Sequence, residues 1–270
     1  MKKLGEVYKT ALVTGGTSGL GLAFSEMLVR EGVKVVSVSR NPDRLPKMEG
    51  LTGVYLDLSD INAVRDFSEE YLVEPGVPDL LVNNAGYGAF SEWGKFPEEE
   101  IVRQIDVLLS APISLCRSFA PKMADRGSGG IVNVSSIAAM FPLPYMPIYN
   151  ASKAGLSAFT ATLALEYKEV PFITDFRLGD FRTNFNKSAS KGTTLQPGSS
   201  QARAWAQIES QLNSSPEPVV ASCALRKTLH CRKGGIVYSG GFFQVRIAPL
   251  LFRIVPSWVV YAFLSNRYKL

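Results

Sequence analysis

Short, mostly apolar runs and segments of helical period take turns along this chain. Aliphatic, β-branched and aromatic residues dominate Lys9–Thr14, Val33–Ser39, Gly53–Leu58, Asp79–Val82, Ile131–Val134, Val170–Leu178 and Gly235–Ser239, with a few polar positions among them. Runs of this kind predict strands buried on both faces. Between them, Leu22–Glu31, Asp60–Leu72, Glu98–Val107, Ile113–Ala124, Tyr149–Tyr167 and Pro218–Cys231 read as helices, with Leu156, Phe159 and Leu163 at helical spacing in the longest. Asp60 is placed to cap its helix, and Pro112 to break two neighbouring ones. Strand alternating with helix predicts an α/β fold, a doubly wound parallel sheet of about seven strands with helices on both faces. No internal repeat or linker divides residues 1–270, so one domain is expected, its core over about 9–240.

Two stretches depart from the alternation. Residues 184–215 are polar, rich in Gly, Ser and Thr, and strand-poor, with a short helix at Ala202–Leu212, which suits a lid over a site. The C-terminal extension, 242–270, contains the most apolar segment, Phe242–Leu264, interrupted by Arg246, Pro249, Arg253 and Pro256. A spanning helix needs about 20 mostly uncharged residues. The stretch is expected to pack over a pocket or a subunit partner; its other reading is an interfacial helix, flanked by Arg267 and Lys269, lying on a membrane.

Composition narrows the chemistry. With 46% hydrophobic and 20% charged residues, the 270-residue chain can bury a sizeable core. A net charge of +5 is modest and its cations are dispersed, so no nucleic-acid arm is expected. Cys116, Cys223 and Cys231 form no C-x-x-C pair and read as ordinary thiols of a reducing compartment. The one histidine, His230, removes His-based metal sites and Ser-His-Asp hydrolysis, and no metal is expected. The apolar run after Lys2 and Lys3 is only Ala11–Val13, too short for a signal peptide, so a cytoplasmic protein is expected.

Gly15-Gly16-Thr17-Ser18-Gly19-Leu20-Gly21 follows the first strand and opens a helix. Glycines there let backbone approach a pyrophosphate, and the helix's free N–H groups point at it. The sheet is therefore read as Rossmann-like, although a plain βα turn also favours glycine. Arg40 closes the second strand where an acidic residue would take a ribose 2′-hydroxyl, and Arg44 lies one turn on. Arginine suits a 2′-phosphate, so NADP(H) is favoured over NAD(H); the other reading is a solvated loop arginine.

Ser136 ends the fifth apolar run, and Tyr149 and Lys153 stand four apart at the start of a helix. That spacing stacks phenol and ammonium one turn apart on one face, although such pairs are commonly just solvated. A nearby cation favours phenolate, and a serine hydroxyl can hold a substrate oxygen against the tyrosine.

Together these motifs resemble the short-chain dehydrogenase/reductase family of the compact single-domain kind. Thr14-Gly15-x-x-x-Gly19-x-Gly21 resembles its coenzyme loop, Asn83-Asn84-Ala85-Gly86 its strand-four motif, and Ser136 with Tyr149-x-x-x-Lys153 its active site. The resemblance implies Tyr149 as acid/base, Lys153 binding the nicotinamide ribose and lowering the tyrosine's pKa, and Ser136 orienting substrate. It implies a coenzyme held by Gly15, Thr17, Ser18, Gly19, Leu20 and Gly21, and by Arg40, Asp57 (at the adenine) and Leu58. Asn83, Ala85, Gly86, Phe181 and Thr183 complete that set, with Thr183 at the carboxamide; Asn83 and Asn84 read equally as ties between strand ends. A homodimer or tetramer is also implied. Two departures stand out: Leu108 falls where the family usually has an asparagine, and Leu178-Gly179 replaces Pro-Gly.

Phe141, Leu143, Pro144, Tyr145, Met146 and Pro147 fill the segment before Tyr149 and suit an apolar carbonyl or alcohol substrate, as lipid metabolism would supply, or simply local packing. Two readings stand: an NADP(H)-dependent oxidoreductase, or a nucleotide-binding regulatory or assembly protein of the same fold with impaired catalysis.

Overall fold

The computed structural model describes residues 2–183, 190–191 and 195–270, without the side chains of 190, 191, 252 and 253. Its strands are β1 Thr10–Thr14, β2 Lys34–Ser39, β3 Leu51–Tyr55, β4 Leu80–Asn83, β5 Ala89–Phe90, β6 Gly130–Ser136, β7 Phe172–Leu178, β8 Ser190–Lys191 and β9 Gly235–Ser239. Seven of them form one parallel sheet in the order β3-β2-β1-β4-β6-β7-β9; β5 and β8 make a separate short parallel pair. The chain winds outward from β1 to β3, then returns to the other side of β1 and winds outward from β4. Where the winding direction reverses, the carboxyl ends of β1 and β4 leave a crevice.

The helices are α1 Gly19–Arg30, α2 Ile61–Val73, α3 Glu98–Ile105, α4 Ala111–Arg126, α5 Pro147–Tyr167, α6 Ser200–Asn213, α7 Pro218–His230, α8 Ala248–Ile254 and α9 Ser257–Tyr268. Successive strand residues feed opposite layers, which is why both neighbours in a run must be apolar. Val13, Val82, Val132 and Phe176 pack against Phe24 and Leu28 of α1 and Leu225 and Leu229 of α7. Leu12, Leu81, Ile131 and Ile173 meet Val64 and Tyr71 of α2 and Leu115, Phe119 and Met123 of α4. Each such buried side chain contributes roughly 1.5–3 kcal/mol. A third cluster lies over the sheet's carboxyl end, where Phe90 and Met146 meet Ala204, Trp205 and Ile208 of α6 and Val260, Leu264 and Tyr268 of α9.

Asp60 caps α2, its carboxylate accepting from the N–H groups of Asn62 and Ala63. Three details differ from the sequence reading. β3 starts at Leu51 and ends at Tyr55 because β2, its one sheet neighbour, ends at Ser39; Asp57 and Leu58 lie beyond the ladder in the following turn. Between α3 and α4 there is no loop but a π-turn, Asp106–Ser110, that leads straight into the first turn of α4, where the missing N–H of Pro112 is tolerated. The β5–β8 pair has no signal in the hydrophobic pattern. Of the expected lid, residues 184–189 and 192–194 lie outside the described residues, and α6 extends the expected helix at both ends. Among the described residues, no helix is long and apolar enough to cross a membrane.

Candidate active site

The crevice is built first by backbone. Gly15 and Gly19 have φ of 69° and 54°, a left-handed conformation that glycine adopts without strain. At Gly21 an added Cβ would come within 2.3 Å of the Gly15 carbonyl oxygen and 2.4 Å of Asn84 Nδ2. Its bare Cα therefore lets α1 start against the end of β4. Thr14 Oγ1 accepts from the N–H groups of Asn84 and Ala85, both at 3.0 Å, and Asn84 Nδ2 donates to the Thr14 carbonyl at 2.9 Å. Ser18 precedes α1 without capping it through its side chain, so the N–H groups of the first turn keep no side-chain acceptor. Such a helix start receives anionic oxygens, and phosphate groups fit it.

A cleft of about 610 Å³ runs along this edge. Gly15, Thr17, Ser18, Gly19, Leu20, Arg40, Asp57, Leu58, Ala85, Gly86, Ser136, Tyr149, Lys153, Phe181 and Thr183 all line it. Two expected residues do not. Gly21 stands behind the loop it supports. Asn83 is fully buried, its Nδ2 donating at 2.8 Å to Asn133 Oδ1, whose own amide reaches Thr160 on α5; it ties β4, β6 and α5 together.

At one end Asp57 faces two cations, Arg40 and Arg103. Burial alone would raise its carboxyl, but hydrogen bonds from the Ser59 N–H (3.0 Å) and Oγ (2.8 Å), with the charges of Arg40 and Arg103, hold it below its usual range. Arg44 lines the same end. Arg103 was not expected from the sequence: it is one charge on a polar helix, and only the topology swings α3 toward the turn after β3. Tyr87 lies beside it, its phenol raised by burial and by Glu100.

At the other end β6 delivers Ser136, whose Oγ accepts from the Ala138 N–H at 3.1 Å and keeps its own proton for donation. Pro147 opens α5, so Tyr149 lies in the first turn and Lys153 one turn deeper. Lys153 Nζ donates to the Val134 carbonyl at 2.7 Å, and burial lowers its pKa to about 8 against the opposing charge of Asp175. Tyr149 moves the other way. Burial pushes its phenol up to about 12, a hydrogen bond with Ser136 pulls it down, and the Asp180 carboxylate raises it. The expected depression by Lys153 is therefore not seen in this state, because both groups are buried and the ammonium is turned onto a strand carbonyl. Leu108, in the π-turn, is fully buried against Gly86, where an added Cβ would meet Leu108 at 3.0 Å and Lys153 Nζ at 3.7 Å.

Beneath these groups Asp175 accepts from Ser157 Oγ at 2.5 Å and from Arg177 at 2.6 Å, and also bonds Ser135. This paired, buried network braces β6, β7 and α5 under the reactive end. Above it, Asn150 clamps the loop before α5, exchanging both hydrogen bonds with the backbone of Leu143. Leu143, Met146, Ile208, Leu212 and Tyr268 give the cleft an apolar wall here, and Asp180 and Gln211 are its polar exceptions.

The arrangement can hold a dinucleotide along the sheet edge and a carbonyl or alcohol at its Tyr149 end. A profile of the short chain dehydrogenase family matches residues 9–193. The 3-ketodihydrosphingosine reductase of Bacteroides thetaiotaomicron is 30% identical over 259 residues, covering 92% of each chain. The probable oxidoreductase EphD of Mycobacterium tuberculosis is 37% identical over 163 residues, which is 57% of this chain and only 28% of the mycobacterial one. A short-chain dehydrogenase from Streptomyces avermitilis superposes with a TM-score of 0.79 at 28% identity, over 98% of this chain and 97% of its own. An alcohol dehydrogenase from Thermococcus sibiricus complexed with 5-hydroxy-NADP shares the fold, with a TM-score of 0.71 at 24% identity over 87% and 97% of the two chains. Sequence profile, sheet order and a relative matched along nearly its whole length agree, and the chain belongs to the short-chain dehydrogenase/reductase family of nicotinamide-dependent oxidoreductases.

Proposed function

We propose that the protein is an NADP(H)-dependent reductase of an apolar, lipid-like ketone or aldehyde. The observation that carries this reading is one cleft with Ser136, Tyr149 and Lys153 at an apolar end and Arg40, Arg44 and Arg103 at the other. The glycine loop and the start of α1 hold the pyrophosphate, and the three arginines favour a ribose 2′-phosphate. A reduced nicotinamide held there would supply hydride to the carbonyl carbon. Ser136 donates a hydrogen bond to the substrate oxygen and Tyr149 gives it a proton. A phenol raised to about 12 is protonated at neutral pH and can therefore give up a proton to the substrate oxygen. Lys153 orients the ribose and its ammonium stabilises the phenolate that remains.

The Bacteroides relative is named for reduction of a long-chain ketone, and the Leu143, Met146, Ile208 and Leu212 wall gives this chain a pocket of matching character. Leu108 favours a second reading, a nucleotide-binding protein with impaired turnover, since its side chain cannot hold a water beside Lys153. Oxidation of NADPH against a panel of long-chain ketones and aldehydes separates the two. Turnover of at least one, falling about 100-fold or more in Tyr149→Phe, is expected for a lost general acid. Turnover that survives the substitution reassigns the proton donor, and binding without turnover of any carbonyl supports the second reading.

A further inference from the structure

Ten large apolar side chains are exposed between Phe242 and Leu270, as many as in the rest of the described chain. Exposed apolar residues scattered singly need no explanation, but a concentration of this kind marks a surface that something covers. It begins at the π-turn Phe243–Ile247, where Phe242 and Phe243 stand exposed, and continues through α8 and α9. Leu250 (62%), Ile254 (81%) and Trp258 (71%) follow one another at four-residue spacing, with Tyr261 (61%) beyond them. α9 is apolar on two sides. Its row Val260, Leu264 and Tyr268 is buried in the cluster over the sheet's carboxyl end, and Tyr268 lines the cleft. Trp258, Tyr261 and Phe263 lie off that row and remain exposed. A helix apolar nearly all round is one covered on both sides, and the chain itself covers only one.

Charge selects what covers the other. Residues 242–270 contain no Asp or Glu. Among the described residues Arg246 and Lys269 are exposed and form no ion pair, whereas Arg267 is held on Gln211. A second copy seated face to face would bring the same two cations and no acid to answer them. An anionic bilayer answers both halves of the surface. Its acyl region takes the aliphatic side chains, its headgroup level suits Trp258 and Tyr261, and its negative charge attracts Arg246 and Lys269.

We propose that this face docks on an anionic lipid surface, which sets α9 between the lipid and the cleft. Docking does not depend on the reductase reading, and its test measures no turnover. The full chain is co-sedimented with phosphatidylcholine vesicles, with and without phosphatidylglycerol. Wild type is expected to bind the phosphatidylglycerol vesicles roughly tenfold or more tightly, the scale of two basic residues near a charged surface, and to lose that preference at high salt. Arg246→Gln/Lys269→Gln removes the preference. Ile254→Glu/Trp258→Glu, in a protein whose thermal melt matches wild type, abolishes sedimentation with either vesicle. No binding by wild type, or equal affinity for the two vesicles, overturns the proposal, and neither result needs a variant to fold. Binding that survives Ile254→Glu/Trp258→Glu also overturns it, by placing the contact elsewhere. So does a self-associated protein that this variant returns to the monomer, in which case a second copy covers the face.

Discussion

Arg40, Arg44, Arg103 and Asp57 line the end of the cleft proposed for the adenosine, and a single substitution there tests the cofactor preference. Arg40→Asp places a negative charge where a 2′-phosphate would sit. NADPH affinity is expected to fall roughly 10- to 100-fold, the range of charge-assisted hydrogen bonds, and NADH affinity much less. Fluorescence titration of both nucleotides checks this, and equal losses would remove the 2′-phosphate from the argument. At the reactive end the informative residue is Lys153, whose folded value of about 8 lies below its ordinary 10.5. Between those values the unfolded chain binds more protons than the folded one, so stability rises with pH across this window. Below about pH 8 the cost of burying the ammonium is present in full. From pH 8 to 10, wild type should therefore gain roughly 1–3 kcal/mol relative to Lys153→Met. Denaturant melts of both proteins across that range read the difference; a gap that moves the other way would mean that folding favours the ammonium. Tyr149, raised to about 12, stays protonated when folded while its unfolded phenol starts to ionise as pH nears 10, a contribution common to both proteins that cancels in their difference.

At the scale of elements, what the pattern made legible was what local chemistry decides. The run Gly235–Ser239 is β9 residue for residue, Asp60 caps α2 as its side chain predicts, and the strand, glycine loop and helix from Lys9 to Glu31 place the phosphate cradle. What stayed hidden depends on partners far away in sequence. β3 stops at Tyr55 for want of a neighbour on β2, which no property of Leu56 or Asp57 announces. Arg103 reaches the cleft beside Asp57 although α3 lies some forty residues further along the chain. Of the two roles the sequence left open for Asn83, the buried bond to Asn133 shows the tie between strand ends, a partner fifty residues away that the motif does not name. Tyr149 and Lys153 both line the cleft from α5, but their pKa shifts come chiefly from burial, which four-residue spacing does not encode. The π-turn before Pro112 sets Leu108 facing Gly86, so the departure from the family's asparagine lies at the cofactor's side rather than on a remote helix face.

The whole molecule reads as a sheet with two insulated faces and a third apolar cluster mounted on its carboxyl edge. The last of these, Phe90 with Trp205, Ile208, Val260 and Leu264, joins a short strand, α6 and α9, three segments that hydropathy alone could not bring together. The crevice itself lies between β1 and β4, paired at Ala11 with Leu80, with the whole of β2, β3 and α2 threaded between them. Its walls run from Gly15 near one end of the chain to Tyr268 near the other. Contacts of such long sequence separation form late, after the costly closing of large loops. A newly made or partly unfolded chain therefore has no nucleotide site to offer, and a nucleotide that binds acts as a clasp on the finished architecture, drawing the first strand and the final helix into a single cooperative unit.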